Sequence, residues 1–436
     1  MLGEMRRFLL LIVILPIYGQ QAQPAPQANT PLTITFQEAL ERARKYGLEI
    51  QTANIAALLA REDRIQAKAA MLPGVQYLNQ FIYTQPNGTL SGVFVANDGP
   101  HVYNSQGQVH EDLSWTRHSE YRRALAAEVV AKAKADVTAR GIVATVVQDY
   151  YAVVIAQRRL ANAQRSLEDA RKFLDITQKQ EGGGEAAHAD VVKAQVQMQQ
   201  RERDGSDAQL SIDRARLTLA VIIFPDFRQD FTVADDLDQI GPLASFSEVQ
   251  DLAMAKSPEL RAAQAGLQQG QAEISVARTG YLPTLTLDYF YGIDANQVAI
   301  YNREHLKNLG SSAQATLTIP VWSWGATQSK VRQAELKQKQ AQLELTFAQR
   351  QLMANLNSFY REAQLAQTQL DSLRKSMDLS EESLRLTLLR YGAGEATALE
   401  VVDAQTTLAQ ARNAYDDGLS RYRIALAAVQ TLTGTL

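Results

Sequence analysis

The chain has 436 residues, 46% of them hydrophobic and 21% charged, with a formal net charge of −3 and no cysteine. This composition excludes a disordered chain and a disulfide scaffold, and its interleaved, nearly balanced charges give no footprint for nucleic acid. Only one segment is apolar enough to enter a bilayer as a helix, which excludes a polytopic helical membrane protein.

That segment is N-terminal. Arg6 and Arg7 precede an apolar run at 8–18, and a Gln-, Pro- and Ala-rich stretch follows to Thr30. A charged flank, a short apolar run and a polar exit have the form of a secretory signal, assigned to 1–22, with a linker over 23–35. Without cysteine, stability outside the cytoplasm must come from packing or oligomerisation, and a lipid-modified N-terminal cysteine is excluded.

From Phe36 onward the chain repeats itself at a constant offset of 210 residues. Phe36, Glu38, Ala43, Glu49, Leu72 and Pro73 fall on Phe246, Glu248, Ala253, Glu259, Leu282 and Pro283; Tyr150, Gln157, Leu160 and Leu174 fall on Tyr360, Gln367, Leu370 and Leu384. Residues 36–245 and 246–436 are therefore two copies of one unit. Each copy reads as helix, strand, loop, strand, very long helix, helix. The strands are placed at 75–84 and 109–115, then at 284–292 and 313–320. The helices after them are placed at 117–181 and 185–224, then at 326–391 and 396–433.

The long helices carry the plainest signal. No Gly or Pro occurs over 326–391, which as one helix is about 100 Å of rod at ~1.5 Å per residue. Leu352, Leu356, Phe359, Ala363, Ala366, Leu370, Leu373, Met377 and Leu384 follow steps of four and three, interrupted at Ser380. The first copy repeats this register with Ile142, Val146, Val153, Ala156, Leu160, Ala163, Leu167, Ala170 and Leu174, interrupted at Asp149. Both are left-handed coiled-coil seams. In the last helix Val401, Leu408, Tyr415, Tyr422 and Val429 recur every seven residues.

A coiled-coil stalk would also show these seams, and the strands argue against it. Leu285, Leu287, Tyr289 and Tyr291 alternate with Thr286, Asp288 and Phe290, and Ala315, Leu317 and Ile319 alternate with Gln314, Thr316 and Thr318. Segments near ten residues with one apolar face suit transmembrane β-strands. The intervening stretches, 85–107 and 293–312, read as exposed loops. Four strands cannot close a barrel, which takes about eight, so the protomer needs partners.

Nothing in the sequence points to catalysis. His101, His110, His118, His188 and His305 show no metal-site spacing and read as surface or barrel-rim imidazoles; no metal or cofactor is expected.

Arg390-Tyr391-Gly392-Ala393-Gly394, followed by the helix start 398–405, resembles the helix-turn-helix signature of the TolC family of outer-membrane efflux proteins. The end of the chain, 432–436, resembles the close of that family's core, and the resemblance runs over nearly all of 36–436. It implies a mainly α fold with a small β part: long antiparallel helices forming an α-helical barrel, and four strands per protomer joining a trimeric 12-stranded transmembrane β-barrel. It further implies an outer-membrane channel-tunnel of a tripartite efflux or type I secretion system, with a long periplasmic extension. The implied partners are two further copies of the chain, outer-membrane lipid, a periplasmic adaptor, and an inner-membrane transporter reached through it. By resemblance, the turns containing Gly182, Gly184, Tyr391, Gly392 and Gly394 form the tip and dock the adaptor. Glu400, Asp403 and, at the matching place in the first copy, Asp190 narrow the pore. Family members with an Arg just after the second turn latch the tip with it; Ala396 stands there instead. The acids also suit the plainer reading of helix-start carboxylates favoured by the dipole. Outside this family, a periplasmic coiled-coil adaptor or a structural stalk without a pore is the alternative.

Overall fold

The computed structural model describes residues 32–83 and 101–436; the signal assigned to 1–22, most of the linker and the first part of the loop at 85–107 lie outside the described residues. Two rods organise the chain. Helix α3 (Trp115–Gly182) has 68 residues and α7 (Ala326–Gly392) has 67. Each folds back at its far end into a 36-residue partner, α4 (His188–Ile223) or α8 (Ala398–Thr433). Along their near halves they pack against 22-residue helices, α2 (Leu48–Ala69) and α6 (Pro258–Thr279). The lateral order is α2-α3-α6-α7 near the sheet and α4-α3-α8-α7 near the tips. The heptad residues close the seams: Leu352, Leu356, Ala363, Ala366, Leu370 and Leu384 are buried, and the interrupting Ser380 is buried with its hydroxyl donating to the Ser376 carbonyl at 2.7 Å.

Where the sequence suggests one helix ahead of each strand pair, the structure has two. Helix α1 (Phe36–Tyr46) breaks at Gly47, and α5 (Phe246–Lys256) breaks at Ser257, after which Pro258 starts α6. Proline has no N–H to continue the helical ladder, and it suits a first helical position. Thr35 with Glu38 and Ser245 with Glu248 form matching capping boxes, so both copies begin alike.

These short helices sit at mid-height against the rods, with a parallel pair of short strands, β1 (Leu32–Ile34) and β4 (Phe231–Val233). Tyr150, Tyr151, Leu219, Leu237, Tyr422 and Leu426 belong to the core beneath them. Tyr150 donates to the Ala234 carbonyl and Tyr422 to the Gly241 carbonyl, both at 2.7 Å. Arg158 joins Asp235, Asp238 and Asp416 at 2.6, 2.7 and 3.0 Å, tying the chain after β4 to α3 and α8. Three carboxylates compensate one largely buried guanidinium, the condition under which burying a charge is tolerable.

At the near end stands a four-stranded antiparallel sheet in the order β2-β3-β5-β6. Its strands are β2 (Gly74–Tyr83), β3 (His101–Ser114), β5 (Thr284–Ala295) and β6 (Leu309–Thr318). Several expected boundaries are corrected, among them the end of β5, at Ala295 rather than 292. Strand β3 starts at His101 rather than 109, and β6 at Leu309 rather than 313, so parts of both expected loops are strand. The run Asn104, Ser105, Gln106, Gly107, Gln108 is polar on both faces and conceals its alternation; its partners on β2 and β5 fix it as strand. Helix α3 also begins two residues earlier than expected, because Ser114 caps it by accepting from the Arg117 N–H.

The β3–β5 pairing joins the two copies. Gly292 lies opposite Gln106 there, and a β-carbon on it would overlap the Ser105 carbonyl and the Gln106 backbone, whereas a β-carbon on Gly310 meets nothing. Gly292→Val should therefore destabilise the sheet by about 3 kcal/mol, at the upper end for overpacking, and Gly310→Ala should be tolerated. Heat-shift of the folded band on unboiled gels checks this: loss is expected for the first variant only.

Candidate functional site

Two regions carry function-bearing geometry: the faces of the sheet and the helical tips. In the sheet, register sorts side chains strictly. Val75, Val109, Tyr289 and Ala313 form one cross-strand row, and Leu113, Leu285 and Leu317 form another on the same face. The opposite face carries Gln76, Gln108, Phe290 and Ser312 in one row and His110, Asp288 and Gln314 in the next. His110 Nδ1 lies 2.7 Å from Asp288 Oδ1, to which Gln108 also donates at 3.1 Å. One face is thus mainly apolar, with Asn79, Ser105 and Glu111 among its polar members, and the other carries a hydrogen-bonded polar lining. Below the apolar face Trp115, Tyr281, Trp322 and Trp324 stand exposed, the last two by 75% and 89%.

His110 pairs with Asp288, not with His118. His188 Nδ1 sits 2.7 Å from Glu181 at the first tip, and His101 stacks on Phe81. Among the described residues no group of three or more His, Asp or Glu is placed to hold a metal.

The two tips share one turn at the 210-residue offset. Glu185 N–H reaches back to the Gln180 carbonyl and Glu395 N–H to the Arg390 carbonyl, both at 2.8 Å. Gly184 and Gly394 take left-handed backbone angles, φ +80° and +75°. This is the six-to-one closure of a helix C-terminus, which favours glycine at the left-handed residue. Gly182 and Gly392, expected to share this role, instead end α3 and α7 with helical geometry, and a β-carbon there meets open space.

Tyr391 departs further from its expected place on a docking surface. Its ring packs edge-on against Phe173 with centroids 5.2 Å apart, and its hydroxyl donates to Thr177 Oγ1 at 3.3 Å inside the tip. Buried to 5% exposure, it fastens α7 to α3. Ala396 packs against the same cluster.

Glu400 forms a capping box. It accepts from the Thr397 backbone N–H and hydroxyl, both at 3.1 Å, while Thr397 Oγ1 accepts from the Glu400 N–H. Arg390 adds a guanidinium 3.4 Å from Glu400 and donates to the Glu395 carbonyl at 3.0 Å. The Thr397 N–H first, and Arg390 after it, hold the Glu400 carboxyl below the usual carboxylate range. Asp403 lies exposed three residues on, on the face away from buried Val401 and Gln405. Asp190, matched to Glu400 by the repeat, starts α4 behind Ala187, which provides no side-chain cap. The tips therefore agree in backbone and differ in capping. Sequence reading quoted Arg390 only as part of the turn signature and missed Thr397, although Thr-x-x-Glu is itself a helix-start signal.

Alanine at Gly394 or Gly184 should cost about 1 kcal/mol for the left-handed angle, whereas Gly392→Ala should be neutral or stabilising; chemical denaturation of the purified protein separates these. Because the Glu400 pKa is depressed on folding, the stability it adds is present above the ordinary carboxylate range and lost as pH falls through its folded value. Amide protection at the start of α8 should weaken on acidification, and Glu400→Gln should abolish that pH dependence.

Residues 249–435 match the family described as outer membrane efflux protein. The alkaline protease secretion protein AprF of Pseudomonas aeruginosa is 21% identical over 389 residues, 86% of this chain and 79% of that protein. The cobalt-zinc-cadmium resistance protein CzcC of Cupriavidus metallidurans is 26% identical over 307 residues, 68% of this chain and 67% of that protein. Among solved structures, the outer-membrane channel OprN superposes with a TM-score of 0.78 at 18% identity, covering 92% of this chain and 89% of that one.

Proposed function

We propose that this chain is a channel of the TolC family of outer-membrane efflux proteins, whose model its residues 249–435 match, and that three copies close into one duct passing solutes from periplasm to exterior. The observation that carries this is the sheet: one mainly apolar face, one polar face, and two unpaired edges, β2 and β6. Backbone groups at an open edge have no partner in hydrocarbon, so the edges must join, and twelve strands from three protomers close a barrel around a polar lumen. Exposed Trp115, Tyr281, Trp322 and Trp324 at the helix-strand junctions suit the membrane interface, with the rods extending into the periplasm.

The helical layer supports the same closure. At one edge α2 exposes Ile55, Leu58 and Leu59, and at the other α7 exposes Leu336, Leu343 and Phe347. Apolar stripes on opposite edges of one curved layer fit a head-to-tail contact that closes as a ring. A stalk or an adaptor has no use for a sheet with a lipid-type face. The tips, with turns at 183–187 and 393–397, would receive the adaptor hairpins and, through them, the inner-membrane transporter. The relatives' names range from protease secretion to metal resistance, so membership assigns no cargo.

Mass measurement in detergent should give three subunits, and a folded monomer would overturn the assembly. Glu400 and Asp403, repeated threefold, would line the narrowest part of the duct with carboxylates, Asp403 carrying the freer charge. Single channels in planar bilayers should then prefer cations and be blocked by a trivalent cation added on the periplasmic side. The pair Glu400→Gln and Asp403→Asn should relieve the block without opening the tip; an equally tight block would assign both acids to the helix start alone.

A further inference from the structure

The face turned toward lipid in the reading above carries one acid among its described strand residues. In the β3–β5 ladder Glu111 stands opposite Leu287, with Ala315 continuing the row on β6. Register surrounds it with Val109, Leu113, Leu285 and Tyr289. Other polar side chains on this face satisfy one another: Ser105 Oγ donates to Asn79 Oδ1 at 2.7 Å and lies 2.8 Å from the Tyr77 hydroxyl. Glu111 has no counterpart. Its Oε2 is shielded from water and accepts no hydrogen bond, yet the residue as a whole is partly exposed.

An ionisable group on a lipid face is unfavourable unless something partners it, and the penalty falls toward the interface. Glu111 lies three residues before Ser114, roughly 10 Å along the strand at ~3.3 Å per residue. Trp115 stands exposed immediately beyond that strand end, with Trp322 and Trp324 following β6, the aromatic level at which headgroups sit. A donor at that depth comes from the periplasmic leaflet.

We propose that Glu111 is a headgroup site for a zwitterionic lipid bearing a primary ammonium. Such a headgroup brings positive charge and three N–H donors to a carboxylate with unused acceptors. A quaternary ammonium brings the charge without donors, and an anionic headgroup is repelled. Because β3 is flanked by β2 and β5 within its own protomer, ring closure leaves this stretch of the face open to lipid, and the headgroup reaches the shielded Oε2 by an outward turn of the Glu111 side chain. The site rests on the lipid-facing assignment of this sheet face.

The test is native mass spectrometry of the detergent-released oligomer, titrated with phosphatidylethanolamine, phosphatidylcholine and phosphatidylglycerol of matched acyl chains. The unaltered protein should retain phosphatidylethanolamine at roughly tenfold lower concentration than phosphatidylcholine, the ratio one hydrogen bond to a charged group supports. Glu111→Gln and Glu111→Leu should level the two lipids while leaving the oligomer and its total lipid retention intact; leucine suits a lipid face and keeps the test open if glutamine folds poorly. Equal retention of both lipids by the unaltered protein, or an unchanged ratio in the variants, overturns the site while leaving the channel reading standing. Retention of no lipid of any headgroup would overturn the lipid-facing assignment and the site together.

Discussion

The unpaired backbone edges of β2 and β6 constrain everything else in this molecule. In water such an edge is solvated; in hydrocarbon each unpaired N–H or C=O costs several kcal/mol. A protomer contributing four strands has two edges, and only a ring of protomers removes them. The helical layer must then close with the same symmetry, because each strand of the sheet runs into or out of a helix: β3 passes directly into α3, and Ser114 ends one while capping the other. Closure of the barrel thus dictates the packing of the rods, and the small seam residues Ala363 and Ala366 let them approach closely.

Duplication supplies the quasi-symmetry that a ring of few protomers needs. Two nearly equivalent copies give a layer of twice as many similar helices, so the three protomers of the proposed ring would present six comparable units around its axis. The copies diverge where the environment differs. The β1–β4 pair and the Arg158 network stand on the first copy's side of the waist, while Arg140 donates to the Lys256 and Leu432 carbonyls at 3.2 and 3.4 Å, satisfying the ends of α5 and α8. Those carbonyls are the groups a helix end leaves without an internal partner. The waist is therefore the most heavily cross-linked level of the protomer.

Much of this was legible in the sequence, because the signals are periodic and long. A run free of Gly and Pro with alternating steps of four and three over nine turns or so has few other solutions, and the 210-residue offset transfers each assignment to the other copy. What failed to show was short-range and tertiary. Strand β3 was underestimated because a strand lining a polar lumen needs no apolar partner at alternate positions. Gly47, at the break, approaches Ile142 so closely that a β-carbon there would overlap it, a contact no local pattern encodes. Tyr391 sits beside glycines in a turn and reads as exposed; only the packing of α7 against Phe173 of α3 reveals it as core. Of the acids, Glu400 carried two compatible readings, and the structure establishes the helix cap.

The unequal capping of the tips has a mechanical consequence. The second turn is held by the Thr397–Glu400 box, the Arg390 bridge and the buried Tyr391 hydroxyl. The first has no side-chain cap at Ala187 and relies on an exposed His188–Glu181 contact, and exposed ion pairs contribute little. Yet Tyr391 reaches across to Thr177 on α3, and Gln180 donates to the Tyr391 carbonyl at 3.4 Å, so the second hairpin braces the first. Moving α7 and α8 away would break the contacts that order the end of α3. Any opening in which the two hairpins separate must therefore loosen the first turn, whereas an opening in which they swing together leaves both turns intact. The lower cost of the second route follows from where the buried hydrogen bonds lie.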